Sequence, residues 1–133
     1  MKKAIFMAVV SLALIFTACK DKTVTTQYTI GNLGYQSGSV GDSQWEELQT
    51  YFQANVEYNK LVEFEGKSLA ENDAQARDLY QKQIEKIDDA YLCSLLQSTD
   101  YFIYGIATLT ASGEYRIIKA KKFTVGGTEE VTN

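Results

Sequence analysis

The chain contains no histidine and no proline, and it has only two cysteines. Histidine is the commonest general base and metal ligand in proteins, so its absence argues against most hydrolases and most transition-metal sites. Without proline, the turns must be built from glycine, asparagine, aspartate and serine. Cys19 and Cys93 alone cannot form the disulfide framework that holds many small secreted domains together. The fold is therefore expected to depend on packing.

Acidic residues outnumber basic ones, with 17 against 13 and a net charge of −4. A negative surface repels a phosphate backbone, so nucleic acid is not an expected partner. The glycine-rich stretch 31–41 is not a nucleotide loop, because it has neither Gly-x-Gly-x-x-Gly nor Gly-Lys-Ser/Thr. Asp88 and Asp89 would point about 100° apart on a helix and would not chelate one cation together. No cofactor and no metal site is predicted.

The first residues of the chain carry its clearest signal. Lys2 and Lys3 form a short positive region, and residues 4–16 are apolar except for Ser11. This layout is typical of a secretory signal peptide. The stretch 4–18 has 15 residues, whereas a helix that spans a bilayer needs about 20 apolar residues. The segment is therefore predicted to be cleaved rather than to remain as a transmembrane helix.

The end of this segment, Phe16-Thr17-Ala18-Cys19, resembles the lipobox of bacterial lipoproteins, where Leu, then Ala or Ser, then Gly or Ala precede an obligatory cysteine. Ala18 and Cys19 match, whereas Phe16 and Thr17 differ from the commonest residues. The resemblance covers residues 1–19 only. It implies cleavage before Cys19, a diacylglyceryl group on its thiol and usually an acyl chain, such as palmitate, on the new amino terminus. Two or more chains anchor a protein firmly, whereas one does so only marginally.

The residue after the cysteine bears on the membrane that this resemblance implies. An Asp at that position tends to retain lipoproteins at the inner membrane of enteric bacteria, but this chain has Lys20. The resemblance therefore implies a bacterial cell-envelope protein, at the outer membrane if the cell is Gram-negative, with its periplasmic or surface side left open. The alternative is an ordinary cleaved signal peptide in which Cys19 has no special role.

The remainder of the chain has the size of one domain. Removal of residues 1–18 leaves 115 residues and takes two lysines away, so 11 basic residues then face 17 acidic ones, and the net charge becomes −6. A short tether is expected over 19–22, followed by a single α+β domain over 23–125. Residues 126–133 are expected to form a polar tail.

Hydrophobic periodicity predicts the order β-α-β-α-β-β, with about four strands and two helices packed on one face of the sheet. The first strand–helix–strand unit is interpreted as a parallel crossover and the last two strands as an antiparallel hairpin. Capping boxes that begin at Ser43 and Ser68 mark the helix starts, with Asn72 as an alternative cap for a later start of the second helix. The adjacent Ile117 and Ile118 predict either a β-bulge or burial on both sides of the strand. The predicted elements are strands over 23–30, 61–65, 101–110 and 114–125, helices over 43–55 and 68–98, and a loop over 31–41.

The end of the second predicted helix is apolar on all sides. Between Ala90 and Leu96 only Ser94 is polar, so this end must be buried, either under the C-terminal strands or against a partner. The residues that would form the partner surface are Leu92, Cys93, Leu95 and Leu96. Cys93 is interpreted as a small buried apolar residue rather than a redox or nucleophilic group, because no histidine is present to activate its thiol.

Three classes of function are considered. The leading hypothesis is a non-enzymatic, lipid-anchored envelope protein that binds another protein or a second copy of itself. The alternative is a carbohydrate or small-ligand binder that uses exposed tyrosines and Trp45. The weakest hypothesis is a carboxylate-dependent hydrolase that uses Glu63 and Glu65 on one exposed strand face. Residues two positions apart on a strand lie about 6.6 Å from each other, which is within the range of the paired carboxylates of glycosidases.

Overall fold

A computed structural model of the chain describes residues 23–38, 41–109 and 113–131. The predictions made for residues 1–22, including the signal peptide, its cleavage and the lipidation of Cys19, lie outside the described residues. In the described ranges, no helix is both long enough and apolar enough to cross a bilayer.

Five strands and three helices make up the described ranges. The strands are β1 (Val24–Gln36), β2 (Lys60–Gly66), β3 (Tyr101–Leu109), β4 (Tyr115–Thr124) and β5 (Gly127–Val131). The helices are α1 (Asp42–Asn55), α2 (Leu69–Ile84) and α3 (Asp89–Ser94). The strands form one antiparallel sheet in the order β2-β1-β3-β4-β5. The predicted α+β class and the hairpin of β3 and β4 are confirmed.

All three helices pack on the same face of the sheet, which we call the inner face. Its core residues alternate along each strand, as the two-residue period of a strand requires. They are Tyr28, Ile30, Val62, Phe64, Phe102, Tyr104, Ile106 and Phe123. Phe52 of α1 lies at the centre, with its ring centroid 4.7 Å from that of Phe102 and 5.1 Å from that of Tyr104. Burying one such side chain contributes about 2–3 kcal/mol.

β1 and β2 are antiparallel neighbours, with Tyr28 opposite Val62, so the predicted parallel crossover is wrong. Asn59, the residue before β2, has a φ of 50°. The Asn59 Oδ1 accepts a hydrogen bond from the Asn32 N–H at 2.9 Å. A Cβ at Gly31 would collide with the Asn59 backbone. Glycine at this position therefore lets the residue before β2 approach β1 closely.

The predicted loop over 31–41 is partly strand. β1 continues to Gln36 and pairs with β3 along its second half. The register shifts between Asn32 and Gly34, which leaves Leu33 as an extra residue in β1. This bulge accommodates a glycine-rich sequence within the strand, so glycine content alone gave a wrong prediction here.

The predicted long helix over 68–98 is two helices, because α2 ends at Ile84 and α3 begins at Asp89. The Asp88 carboxylate accepts a hydrogen bond from the Tyr91 N–H at 3.2 Å and caps the new start. Ile87 lies in the connection and is buried. The apolar stripe therefore passes through the break, and for this reason its periodicity indicated one continuous helix.

The two predicted helix starts have different outcomes. Ser68 caps α2, since its Oγ accepts a hydrogen bond from the Glu71 N–H at 3.1 Å, as predicted. α1 begins one residue before Ser43, with Gly41 as its N-cap. The Gly41 N–H donates to the Gln44 Oε1 at 3.3 Å. The capping box predicted to begin at Ser43 is therefore wrong.

The C-terminal region contains one confirmed and one wrong prediction. Ile106 pairs with Lys119 whereas Ala107 pairs with Ile117, so Ile118 is the extra residue of the predicted bulge. The predicted polar tail contains β5, which pairs with β4. Its acidic residues lie opposite lysines of β4, and such cross-strand pairs favour pairing of an otherwise polar segment. The opposed pairs are Lys121 with Glu130 and Lys122 with Glu129.

Candidate functional site

The four residues predicted as a partner surface lie in the core of the chain. Leu92, Cys93, Leu95 and Leu96 are each at most 8% exposed. The Cys93 thiol donates to the Gly127 carbonyl oxygen of β5, with an S···O distance of 3.6 Å. Burial raises the pKa of this thiol, so it stays protonated near neutral pH. α3 thus lies under the C-terminal strands, and these residues offer no exposed surface to a partner.

Glu63 and Glu65 do not share one environment. Both project from β2 on the side opposite Val62 and Phe64, which we call the outer face. Glu65 is exposed, but Glu63 is only 4% exposed. The prediction of an exposed acidic pair is therefore wrong for Glu63, and Glu65 alone is presented to solvent.

A shallow groove of about 430 Å³ lies along α1 and reaches α3, and we call it the α1–α3 groove. Its lining residues are Ser43, Glu46, Glu47, Thr50, Tyr51, Ala54, Asn55 and Tyr91. Leu48 and Phe52 are buried and hold the opposite side of α1 against the sheet. Residues three and four positions apart share one side of a helix, so this anchoring turns Glu47, Thr50 and Ala54 towards solvent.

Two tyrosines join the helices that form the groove. The Tyr91 hydroxyl donates to the Glu47 Oε2 at 2.6 Å. The Tyr51 hydroxyl accepts from the Asp88 N–H at 2.9 Å. The two rings are in contact, with their centroids 5.0 Å apart. The groove therefore has a fixed aromatic floor beside a carboxylate, although α3 is a very short helix.

The charge in the groove is negative. Glu46 and Glu47 are exposed along α1, and the last turn of α1 contains no basic residue. The hydrogen bond to Glu47 raises the pKa of Tyr91, so its phenol remains a donor at neutral pH. Carboxylates accept hydrogen bonds and attract cations, and tyrosine faces also attract cations. The arrangement is suited to binding basic or hydrogen-bond-donating groups.

A second polar cluster connects α2 to the inner face of the sheet. The Tyr28 hydroxyl donates to the Asp73 Oδ1 at 2.7 Å, and the Arg116 guanidinium donates to both Asp73 oxygens at 3.0 and 3.2 Å. Burial opposes ionisation of Asp73, but the hydrogen bonds from Arg116 and Tyr28 outweigh it and lower its pKa. Burial raises the pKa of Tyr28. This closed cluster fastens a helix to the sheet.

Trp45 lies beside the exposed ring of Tyr35. The two ring centroids are 4.8 Å apart, and the other side of Trp45 contacts Phe102 at 5.8 Å. Tyr35 is 54% exposed, whereas Trp45 is half-buried. The aromatic surface predicted for a carbohydrate binder therefore has Tyr35 as its exposed part and Trp45 as its support.

The α1–α3 groove was missed at the level of sequence. Glu47 and Tyr91 are 44 residues apart, and no local pattern connects them. The available signal was the spacing of Glu47 and Tyr51, which places a carboxylate and a phenol on the same side of α1. That signal could indicate a polar, aromatic helix face, but only the position of α3 makes it a groove.

Comparisons with known proteins identify no family for this chain. No protein-family model matches it, and no curated protein or solved structure matches it either. The function is therefore argued from the geometry of the described residues and from the signal at the start of the chain.

Proposed function

We propose that this protein is a lipid-anchored lipoprotein of the bacterial cell envelope, at the outer membrane, and that its domain is a non-enzymatic interaction module. The anchor is assigned to Cys19 on the strength of the lipobox resemblance. The contact surface is assigned to the α1–α3 groove. The expected partner is a protein with basic side chains.

The observation that carries the interaction proposal is the open arrangement of Glu47, Tyr51 and Tyr91. Their rings and carboxylate are held in place by contacts between α1 and α3, so little side-chain freedom is lost when a partner binds. Tyrosine is also one of the residues that most often dominate protein interfaces. A second copy of the chain would bring an equally acidic groove, and like charges in contact are unfavourable. A different, basic partner is therefore favoured over a groove-to-groove dimer.

In-cell photocrosslinking tests the interaction proposal. A photoreactive phenylalanine analogue replaces Thr50 in the groove of the full-length protein, and the matched control places it at Asp78, which is exposed on α2. We expect a reproducible adduct with one envelope protein from position 50 and none from position 78. Identical adducts from both positions, or none from position 50, would contradict the proposal.

The lipid anchor has a separate test. Intact-mass measurement of the mature protein is expected to show a chain that begins at Cys19 and carries a diacylglyceryl group with a further acyl chain. Cys19→Ser is expected to leave the protein unlipidated and release it from the membrane fraction. A mature chain that starts elsewhere, or that carries an unmodified Cys19, would refute the anchor.

A carbohydrate or small-ligand binder is the second candidate, and the exposed stack of Tyr35 on Trp45 favours it. Trp45 is the only tryptophan, so its fluorescence reports on this surface without interference. A sugar that stacks on Tyr35 is expected to shift this emission, and Tyr35→Ala is expected to abolish the shift. Emission that stays constant across a broad glycan panel would rule against this candidate.

A further inference from the structure

One end of the sheet contains the start of the described chain. β1 begins at Val24, which is paired with Gly66 at the end of β2. β3 runs antiparallel to β1, so its last residue, Leu109, lies towards the same end, with Tyr115 of β4 opposite it. α2 begins at Leu69, directly after β2. We call this the proximal end.

Large apolar side chains are exposed at the proximal end. Leu69 is 47% exposed, Leu109 is 59% exposed and Tyr115 is 64% exposed. Single exposed apolar residues are ordinary on protein surfaces, but these three share one end of the domain. Tyrosine is enriched where proteins meet the polar–apolar boundary of a bilayer, because its ring is apolar and its hydroxyl is polar.

The length of the tether places this end next to the membrane. In the mature lipoprotein proposed above, the four residues 19–22 separate the lipid from Thr23. Even at full extension they span only about 14 Å. β1 has 13 residues and is about 43 Å long, so its far end lies beyond the reach of the tether. A lipid on Cys19 therefore brings the proximal end, and not the far end, to the bilayer.

We propose that the proximal end is a membrane-contact surface, with Leu69, Leu109 and Tyr115 in the interfacial layer of the bilayer that holds Cys19. The inference rests on the proposed lipid anchor and adds an orientation to it. The partner is the lipid surface itself. Trp45 in the first turns of α1 contacts Tyr35 near the far end of β1, so this orientation leaves the start of the α1–α3 groove away from the membrane.

The charges at the proximal end specify the kind of lipid contact. Glu65 and Glu71 are exposed there together with Lys67. The Lys67 N–H donates a hydrogen bond to the Glu71 Oε1, which keeps that carboxylate at the end of the sheet. Carboxylates are repelled by anionic lipids, so the contact is driven by apolar burial and not by basic residues. Contact of the proximal end with the bilayer is therefore expected to be stronger on vesicles of phosphatidylcholine alone than on vesicles that also contain phosphatidylglycerol.

Site-specific quenching tests the orientation in the lipidated, full-length protein. Leu109→Cys and Tyr115→Cys receive a fluorophore at the proximal end. Tyr35→Cys and Val125→Cys are matched controls, because their residues are 54% and 55% exposed and lie towards the other end of the strands. The native Cys93 is buried. On phosphatidylcholine vesicles with a quencher on the headgroup, we expect quenching at positions 109 and 115 but not at 35 and 125.

A second variant measures the apolar contribution. With a fluorophore at Leu69→Cys, the quenching reports the ratio of domains that contact the bilayer to domains that are held only by the lipid. The double substitution L109D/Y115D is expected to lower this ratio by at least about tenfold, because it removes two apolar side chains that would be partly buried in the bilayer. V125D is the control, since Val125 is 55% exposed and follows the end of β4, which lies at the far end of the sheet. It is expected to leave the ratio unchanged.

Other outcomes would overturn the proposal. Equal quenching at all four positions, or stronger quenching at 35 and 125, on vesicle-bound protein would contradict the orientation while leaving the lipid anchor intact. Shielding of 109 and 115 that depends on protein density in the membrane would assign this end to contact between copies instead. Full-length protein that fails to bind vesicles, although it was produced in cells that lipidate lipoproteins, would refute both the anchor and the orientation.

Discussion

Two tyrosine–carboxylate pairs in this molecule have almost the same geometry and different surroundings. Tyr28 donates to Asp73 at 2.7 Å, and Tyr91 donates to Glu47 at 2.6 Å. Tyr28 is 1% exposed and Arg116 binds both oxygens of its carboxylate. Tyr91 and Glu47 line an open groove instead. The same bond is closed off in one place and accessible in the other.

The difference shows that the surroundings of a hydrogen bond, more than its length, determine what it contributes. A buried polar group that loses its partner also lacks water, so breaking the Tyr28–Asp73 pair, which we call the inner pair, is costly. In the Tyr91–Glu47 pair, which we call the outer pair, water replaces either partner, so breaking this hydrogen bond costs the fold little. The inner pair is therefore assigned to stability and the outer pair to recognition.

The largest expected effect comes from removal of the inner carboxylate. Asp73→Ala leaves the Tyr28 hydroxyl buried without an acceptor and Arg116 without its counter-ion. We expect the free energy of unfolding to fall by about 2–3 kcal/mol, measured by urea denaturation of the non-lipidated domain. Glu47→Ala is the matched control and is expected to leave the denaturation midpoint unchanged. Equal losses in the two variants would remove the distinction between the pairs.

Removal of the two hydroxyls makes the same comparison with a smaller effect. Tyr28→Phe keeps the ring and deletes one donor to Asp73, which still has Arg116. We expect a loss of about 1 kcal/mol in the free energy of unfolding. Tyr91→Phe is expected to produce no measurable change, because its bond is exchanged for water at the surface. A loss for Tyr91→Phe as large as that for Tyr28→Phe would show that the groove is held together like a core.

The free energy of unfolding at acid pH tests the role of the Asp73 charge. The pKa of Asp73 is lowered in the folded state, so its contribution is present above the unfolded-state value of about 3.9 and is lost as pH falls through the folded-state pKa. The stability difference between the native protein and Asp73→Asn is therefore expected to shrink below about pH 4. Denaturation series between pH 2 and 7 measure it. A difference that stays constant with pH would contradict the assigned role of the Asp73 charge.

The smallest expected effect on folding comes from charge reversal in the groove. The double substitution E46K/E47K changes two exposed residues on the outward side of α1. We expect a change within about 0.5 kcal/mol in the free energy of unfolding, as is usual for surface substitutions. Thermal unfolding followed by circular dichroism measures it. A cooperative loss of structure would mean that these carboxylates support the fold.

Periodicity predicted the elements whose burial is local. The alternation at Tyr28 and Ile30 and at Val62 and Phe64 correctly identified the inner face, and the adjacent isoleucines correctly identified the bulge at Ile118. These predictions succeed because a two-residue period reports directly on which side of a strand is buried.

The failures have a common cause, which is contact between distant parts of the chain. The segment of β5 is predicted to be a tail because it is polar, and its acidic residues are favourable in a strand only opposite the lysines of β4. Glu63 was expected in solvent because strand alternation gives the face but not what covers it. The α1–α3 groove requires Tyr91 to lie against Glu47, 44 residues earlier in the chain. Such features depend on topology, which the sequence pattern did not determine.

Recognition by the outer pair is tested by combining the photocrosslink with charge reversal in the groove. The yield of the adduct from a photoreactive residue at Thr50 is compared between the native protein and E46K/E47K. D78K/E85K is the charge-matched control, because it also reverses two exposed carboxylates, on α2 and at its C-cap. We expect the adduct to be lost in E46K/E47K and kept in D78K/E85K, with all three proteins equally folded and membrane-bound. An adduct that persists in E46K/E47K, or that disappears equally in D78K/E85K, would contradict a role of the groove in recognition.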